Sequence, residues 1–459
     1  MSLNFRSGVQ RLQKLVFGRQ AQSQETFDSK IYHYRFDENG EQSRLHLRLD
    51  TDGHGTLIVN ANRIMHLNPT AAWMAQNILD GQADAEILQA GTKKWRIDRK
   101  ALAEDLATFH FQLAELIRPD GACPIHELDL ETIAPFSARP SAPYRLDLAL
   151  TYRCNNDCAH CYNARERNFP ELSTAEWKQV IDQAWALGIP HIIFTGGEPT
   201  LRDDLPELIA HAEGNGQITG LNTNARRLSD PNFVKRLVDA GLDHVQITVE
   251  SADADIHNQM VNARAFEQTI AGLKNVLATR LYVMTNTTML RDNVASIPAT
   301  LDFLADLGVP TIGLNALIYS GHGATVGTGL PEKELTPLLT IAREKTEARG
   351  QRLIWYTPTQ YCHFDPVQME LGVKGCTAAQ YNLCVEPNGD VLPCQSYYQP
   401  LGNLLRDAWE TIWNHKLAVK LRERQDLPLK CEGCALLAEC GGGCPLQFES
   451  QISTIEHPV

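Results

Sequence analysis

From Arg145 onward, six short apolar runs rich in β-forming residues alternate with five amphipathic helical stretches. The runs are RLDLALTY, HIIFTGG, ITGLNTN, HVQITVES, LYVMTNTT and TIGLNAL, and the intervening stretches are TAEWKQVIDQAWALG, LPELIAHAEG, PNFVKRLVDAG, AFEQTIAGLKNVLA and ASIPATLDFLADLG. Strands separated by helices pair in parallel through right-handed crossovers. The expected fold class is therefore α/β. Six repeats suit a partial (β/α)6 barrel as well as an open doubly wound sheet, and in both the chemistry collects at the carboxyl ends of the strands.

Those ends carry the unusual residues. Cys154, Cys158 and Cys161, in TYRCNNDCAHCYN, follow the first run; Gly196, Gly197, Glu198 and Pro199 follow the second. Asn222 and Asn224 close the third, and Thr248, Glu250 and Ser251 the fourth. Of twelve cysteines, three stand in this opening loop and eight between Cys362 and Cys444, with Cys123 apart. No stretch reads as a signal peptide and no apolar run is long enough to span a bilayer, so the expected location is the cytoplasm. There, clustered cysteines read as metal ligands rather than disulfides. A formal charge of −13 over 459 residues argues against nucleic-acid binding, which needs a basic face.

Three thiolates suit neither a disulfide nor a structural zinc, which takes four ligands, usually as two separated pairs. A four-iron cluster is normally held by four cysteines, and three would leave one iron open to a small molecule. The spacing C-x3-C-x2-C, with Tyr162 directly after it, resembles the cluster motif of the radical S-adenosylmethionine (SAM) enzymes, and TGGEP one strand later resembles their site for the methionyl amino group. The resemblance implies a catalytic 4Fe-4S cluster on Cys154, Cys158 and Cys161. It further implies SAM contacts from Tyr162, Gly196, Gly197, Glu198, Asn222 and Asn224. Thr248 and Glu250 stand where many members carry a serine and an aspartate; SAM contact and local hydrogen bonding are both open for them. Asn286, Thr288 and Asn315 either line the same cavity or cap their strands. The implied chemistry is reductive cleavage of SAM to methionine and a deoxyadenosyl radical that takes hydrogen from a substrate. A low-potential electron donor is needed as well. No acid-base residue is assigned; Tyr319 and His322 are the nearest candidates.

The tail reads C-x7-C-x4-G-x4-C from Cys376 through Cys384 and Gly389 to Cys394, then C-x2-C-x5-C-x3-C at Cys431, Cys434, Cys440 and Cys444. Within it, CVEPNGDVLPC predicts a hairpin turning at Asn388-Gly389. This order resembles the SPASM extension of radical SAM enzymes, which implies one or two auxiliary iron-sulfur clusters. The first would use Cys376, Cys384, Cys394 and Cys444, and the second Cys431, Cys434 and Cys440. The closing cysteine that members often carry is absent. The second cluster therefore keeps an open iron, uses His457 or Glu449, recruits Cys362, or does not form; Cys362 and Cys123 otherwise read as packed or free thiols.

The front of the chain has a different pattern. SRLHLRLD, GTLIVNA and RIMHLN predict three antiparallel strands, followed by helices over PTAAWMAQNILDG and RKALAEDLATFHFQLAELI. Strands followed by helices make a winged-helix-like module, similar to the precursor-peptide recognition domains fused to many SPASM enzymes. That likeness implies a leader peptide adding a strand to a sheet edge, and a ribosomally made peptide or protein as substrate. The alternatives are a small molecule such as a tetrapyrrole, or a non-catalytic iron-sulfur carrier. The expected organisation is an amphipathic segment at 1–29, suited to peripheral membrane contact, partner docking or core packing, then the module at 30–120 and a linker at 121–143. The partial barrel follows at 144–330, a helical bridge at 331–375 and the SPASM domain at 376–459.

Overall fold

The computed structural model describes residues 30–38, 41–60, 63–95, 97–117, 140–164 and 169–447. The amphipathic 1–29 segment, Cys123, Glu449 and His457 lie outside them. Contacts divide the chain into two compact units, residues 1–141 with 184–190, and residues 142–183 with 191–459.

The first unit holds an antiparallel meander of four strands, β1 (Lys30–Glu38), β2 (Glu41–Leu49), β3 (Gly55–Val59) and β4 (Arg63–Leu67). The expected three-stranded ribbon is one strand short. Tyr32, Tyr34 and Phe36 of β1 alternate at period two and pack on the core with Leu45, Leu47 and Leu57. Helix Pro69–Leu79 begins where Pro69 suggests, and the Asn68 side chain accepts the Ala71 amide at 2.9 Å as its cap. A helix at Asp84–Trp95 was not anticipated, because Gly91 lowers its propensity. A side-chain carbon there would lie 2.7 Å from Leu102 and 3.0 Å from Trp73, so close packing explains the glycine. Helix Arg99–Ile117 completes the layer. His46 and Arg48, on the polar side of β2, are also fully buried, with the Trp185 ring edge-on to His46 at 6.1 Å.

In the second unit all six expected strands form: β5 (Arg145–Thr151), β6 (His191–Gly196), β7 (Ile218–Thr223), β8 (His244–Thr248), β9 (Tyr282–Thr288) and β10 (Thr311–Asn315). They lie side by side in chain order and all run parallel, the arrangement of a partial barrel. Two additions extend the sheet to ten strands. The bridge contributes helix Glu332–Ala348 and an unanticipated strand, β11 (Arg352–Trp355), parallel to β10. At the other edge, β12 (Asn382–Val385) pairs parallel with β5, setting Cys384 beside Asp147. The predicted hairpin then joins β12 to β13 (Asp390–Leu392), turning at Gly389 with φ +88°, and β14 (Gly402–Asn403) follows. No helix among the described residues is long and apolar enough to cross a membrane.

Candidate functional site

The cysteine loop leaves the end of β5 and is braced from several sides. Gly196 has φ +139°, and a side-chain carbon there would collide with the Thr151 carbonyl; one on Gly197 would lie 2.5 Å from the Arg153 carbonyl. The Gly197 and Glu198 amides donate to the Thr151 and Arg153 carbonyls at 2.8 and 2.9 Å. The two glycines thus zip the TGGEP turn onto the root of the loop. Beyond β10, His322 donates its amide to the Cys161 carbonyl at 2.9 Å, and its Nδ1 lies 3.1 Å from the Cys158 carbonyl. The Asp157 and Ala159 amides donate to Val261 and Met260.

Glu198 is buried and held by four hydrogen bonds. Oε1 accepts from the Thr200 hydroxyl at 2.6 Å, the Thr223 hydroxyl at 2.7 Å and the Thr200 amide at 3.1 Å, while Oε2 accepts from the Asn224 amide at 2.8 Å. Burial nonetheless pushes its carboxyl above the usual range. The neighbouring Ala225 has φ +61°, a left-handed conformation disfavoured for alanine. That turn carries Asn224 to the loop, where its Nδ2 donates to Asn155 Oδ1 at 2.7 Å and stands 4.0 Å from Cys154 Sγ.

Glu250, also buried, holds the opposite side. Oε1 is 2.9 Å from Nε2 of His160, the residue before Cys161, and Oε2 accepts the Thr288 amide at 2.9 Å. Burial disfavours the His160 cation, and the charge of Glu250 overrides it to raise the imidazole pKa. The sequence reading missed His160, although its place in C-A-H-C was the available signal. Tyr162 is partly buried and donates to Gln395 Oε1 in the tail at 2.6 Å.

The strand faces carry the remaining candidates. Asn222 lies opposite Gln246, and Thr248 opposite Asn286. The period of two puts these on one half-buried polar face, while Val245, Ile247 and Val283 are buried on the other. Oδ1 of Asn286, Oδ1 of Asn315 and Nδ1 of His160 are buried with no hydrogen-bond partner among the described residues. Asn315 Nδ2 donates to the Ala316 carbonyl at 3.0 Å. Tyr319 packs beside Met260, Leu290 and Leu317.

Two cysteine groups form in the tail. Cys394 and Cys444 are raised by burial first and then by nearby thiols, Cys376 in both cases, and Cys394 reaches about 12. Cys384 is raised likewise by burial, with Asp147, Glu386 and Cys394 adding. Cys376, Cys384, Cys394 and Cys444 therefore share one neighbourhood. Cys431, Cys434 and Cys440 line a separate cavity together with Cys362.

Residues 148–304 match the family model of the radical SAM superfamily, and residues 376–435 that of an iron-sulfur cluster-binding domain, SPASM. Over 325 residues the chain is 31% identical to the PqqA peptide cyclase of Xanthomonas campestris pv. campestris, spanning 66% of this chain and 82% of that relative. The chain belongs to the radical SAM superfamily. Streptococcus suis SuiB bound to precursor peptide SuiA has the same fold, with a TM-score of 0.66 at 18% identity over 93% of this chain and 97% of that one. The protein anSMEcpe with bound AdoMet follows with a TM-score of 0.55 at 16% identity, covering 67% and 91%.

A radical SAM enzyme with a SPASM domain uses SAM, a catalytic 4Fe-4S cluster and auxiliary iron-sulfur clusters. The donor set here suits that chemistry. Burial pushes Cys154 up to about 11, with Glu198 and Cys161 adding, and Cys158 rises through burial, Cys161 and Glu250. Cys154 and Cys158, set beside Cys161 and two buried carboxylates, give up their protons far more readily when a cationic centre takes the protons' place. The unpartnered polar atoms of His160, Asn286 and Asn315 fit a ligand as polar as SAM.

Proposed function

We propose that this protein modifies a ribosomally made peptide, with the catalytic cluster held by Cys154, Cys158 and Cys161. The observation that carries the substrate class is the 31% identity to a PqqA peptide cyclase. When bound, cluster and SAM supply a hydrogen-abstracting radical. The chain's own residues bind, orient and brace. Gly196 and Gly197 bring the second strand end against the cysteine loop, and Asn224 orients Asn155 beside Cys154. Asn222, Thr248 and Asn286 offer polar groups to the nucleotide. Glu198 and Glu250 act mainly through the groups they hold, Thr200, Thr223 and Asn224 for the first and His160 for the second. Tyr162 fixes the loop to the tail. One auxiliary cluster belongs to Cys376, Cys384, Cys394 and Cys444, and another to Cys431, Cys434 and Cys440.

The front sheet supports a peptide partner. Its outer strands β1 and β4 each bond to one neighbour only among the described residues, which leaves edges to which a leader segment can add. The test is anaerobic reconstitution of the full chain with iron and sulfide, then SAM, a reductant and the short peptides encoded beside its gene. Deoxyadenosine formed in step with a mass change in one peptide is the expected result. Deoxyadenosine formed at the same rate with every peptide, none of them altered, would overturn the substrate assignment.

A further inference from the structure

We infer that Cys362 is the fourth protein ligand of the second auxiliary cluster, completing a set with Cys431, Cys434 and Cys440. The inference rests on the reading of the tail as a two-cluster SPASM domain. Cys362 lies 69 positions before Cys431 (431 − 362), outside the cysteine motif of the tail. In space all four cysteines line one cavity, with Gln360, Tyr361, Lys430 and Leu437 among its other walls.

The segment bearing Cys362 is fastened to the tail. The Tyr361 amide donates to Cys440 Sγ at 3.3 Å, and Cys440 Sγ lies 3.6 Å from the Thr359 carbonyl. Gly443, with φ +88°, allows Gln360 to pack against it; a side-chain carbon there would lie 3.1 Å from Gln360 Cγ. From the other side, Glu332 accepts the Gln360 amide at 3.2 Å and holds His363 Nδ1 at 2.8 Å. Nε2 of His363 lies 3.4 Å from Lys430. Both nitrogens of His363 are engaged, which leaves Cys362 as the group this segment has to offer.

The chemistry agrees with the geometry. Among the described residues, no three His, Cys, Asp or Glu side chains converge as they would on a single metal ion. Four cysteines lining one cavity suit a multi-iron cluster, in which each sulfur binds a different corner. Cys362 is exposed, its Sγ lies 4.0 Å from Gln360 Oε1, and the residue lines the cavity beside Cys431.

The experiment begins with full-length protein in which Cys154, Cys158 and Cys161 are changed to alanine, so that only auxiliary clusters remain. After reconstitution this background should hold about eight irons, four per cluster. Adding Cys362→Ala should lower the count toward four, or keep eight while altering the EPR signal of one reduced cluster and letting it bind added cyanide. Cys362→Ser, which keeps an oxygen ligand, should give an intermediate EPR signal. In the background protein, Cys362 should resist alkylation until the iron is chelated. If Cys362→Ala leaves iron count and spectrum unchanged while Cys434→Ala removes a cluster, the assignment of Cys362 is wrong and the two-cluster reading stands. If the background protein holds only about four irons, both fall together.

Discussion

Tyr162 Oη donates a 2.6 Å hydrogen bond to Gln395 Oε1, tying the residue after Cys161 to the residue after Cys394. Gln395 in turn donates to Asp147 Oδ2 at 3.0 Å, and Asp147 pairs with Arg145 at 3.0 Å, both on the first barrel strand. Two cysteine loops far apart in sequence are thereby held in one hydrogen-bonded array rooted on β5.

Tyr162→Phe removes the donor and leaves Gln395 Oε1 without it. A loss of about 1–2 kcal/mol is expected. Urea unfolding should show a lower midpoint at an unchanged slope, with iron content kept. An unchanged midpoint would mean that the contact contributes nothing to folding.

Glu198→Ala strands the donors on Thr200, Thr223 and Asn224. The expected cost is about 3 kcal/mol or more, since a buried charged acceptor is lost and its partners are left unpaired. SAM affinity, read by equilibrium dialysis, should fall as well. Glu198→Gln, which keeps one oxygen acceptor, should cost less on both measures.

Gly272→Ala should act on the site from a distance. A methyl group there collides with the carbonyl of Ala225, the residue already held in the left-handed region. A cost of about 1–3 kcal/mol is expected, with displacement of Asn224. Iron EPR recorded with and without SAM should show a weakened response, while the tail clusters keep their signals.

His244 supplies a pH dependence. Burial, and then the charge of Arg145, lower its pKa from 6.5 to about 4. The unfolded chain therefore binds a proton that the folded chain refuses, so this contribution is present above pH 6.5 and is lost as the pH falls toward 4. Between pH 7.5 and 5.5 the loss is about 1 kcal/mol. A His244→Gln variant should show a flatter fall in urea midpoint across that range.

Six barrel strands and five helices were legible because each run has a clear period and a turn signal at its end. Strand β1 was not, since its aromatic residues alternate with His and Arg rather than with small polar residues. Strand β11 is only four residues long, RLIW, too short for its period to register. At the site, the cysteine spacings and TGGEP identified the chemistry, but not the groups that hold Glu198. Its engagement with Thr200, Thr223 and Asn224 depends on strand ends 25 residues apart in the chain meeting in space. The tie of Tyr162 to Gln395 was illegible for the same reason, because that partner is 233 positions away. For Cys362 the sequence offered recruitment to the second cluster as one option among several, since its place beside Cys440 comes from how the bridge packs.

Because β12 hydrogen-bonds directly along β5, the cysteine-rich tail is woven into the barrel rather than strung after it. A truncation before Cys376 would leave a bare β-edge on the strand that launches the catalytic loop, open to pairing between molecules. Chimeras that exchange tails between relatives must therefore carry β5 with its partner, and a tail expressed alone lacks the neighbour that orders Cys384.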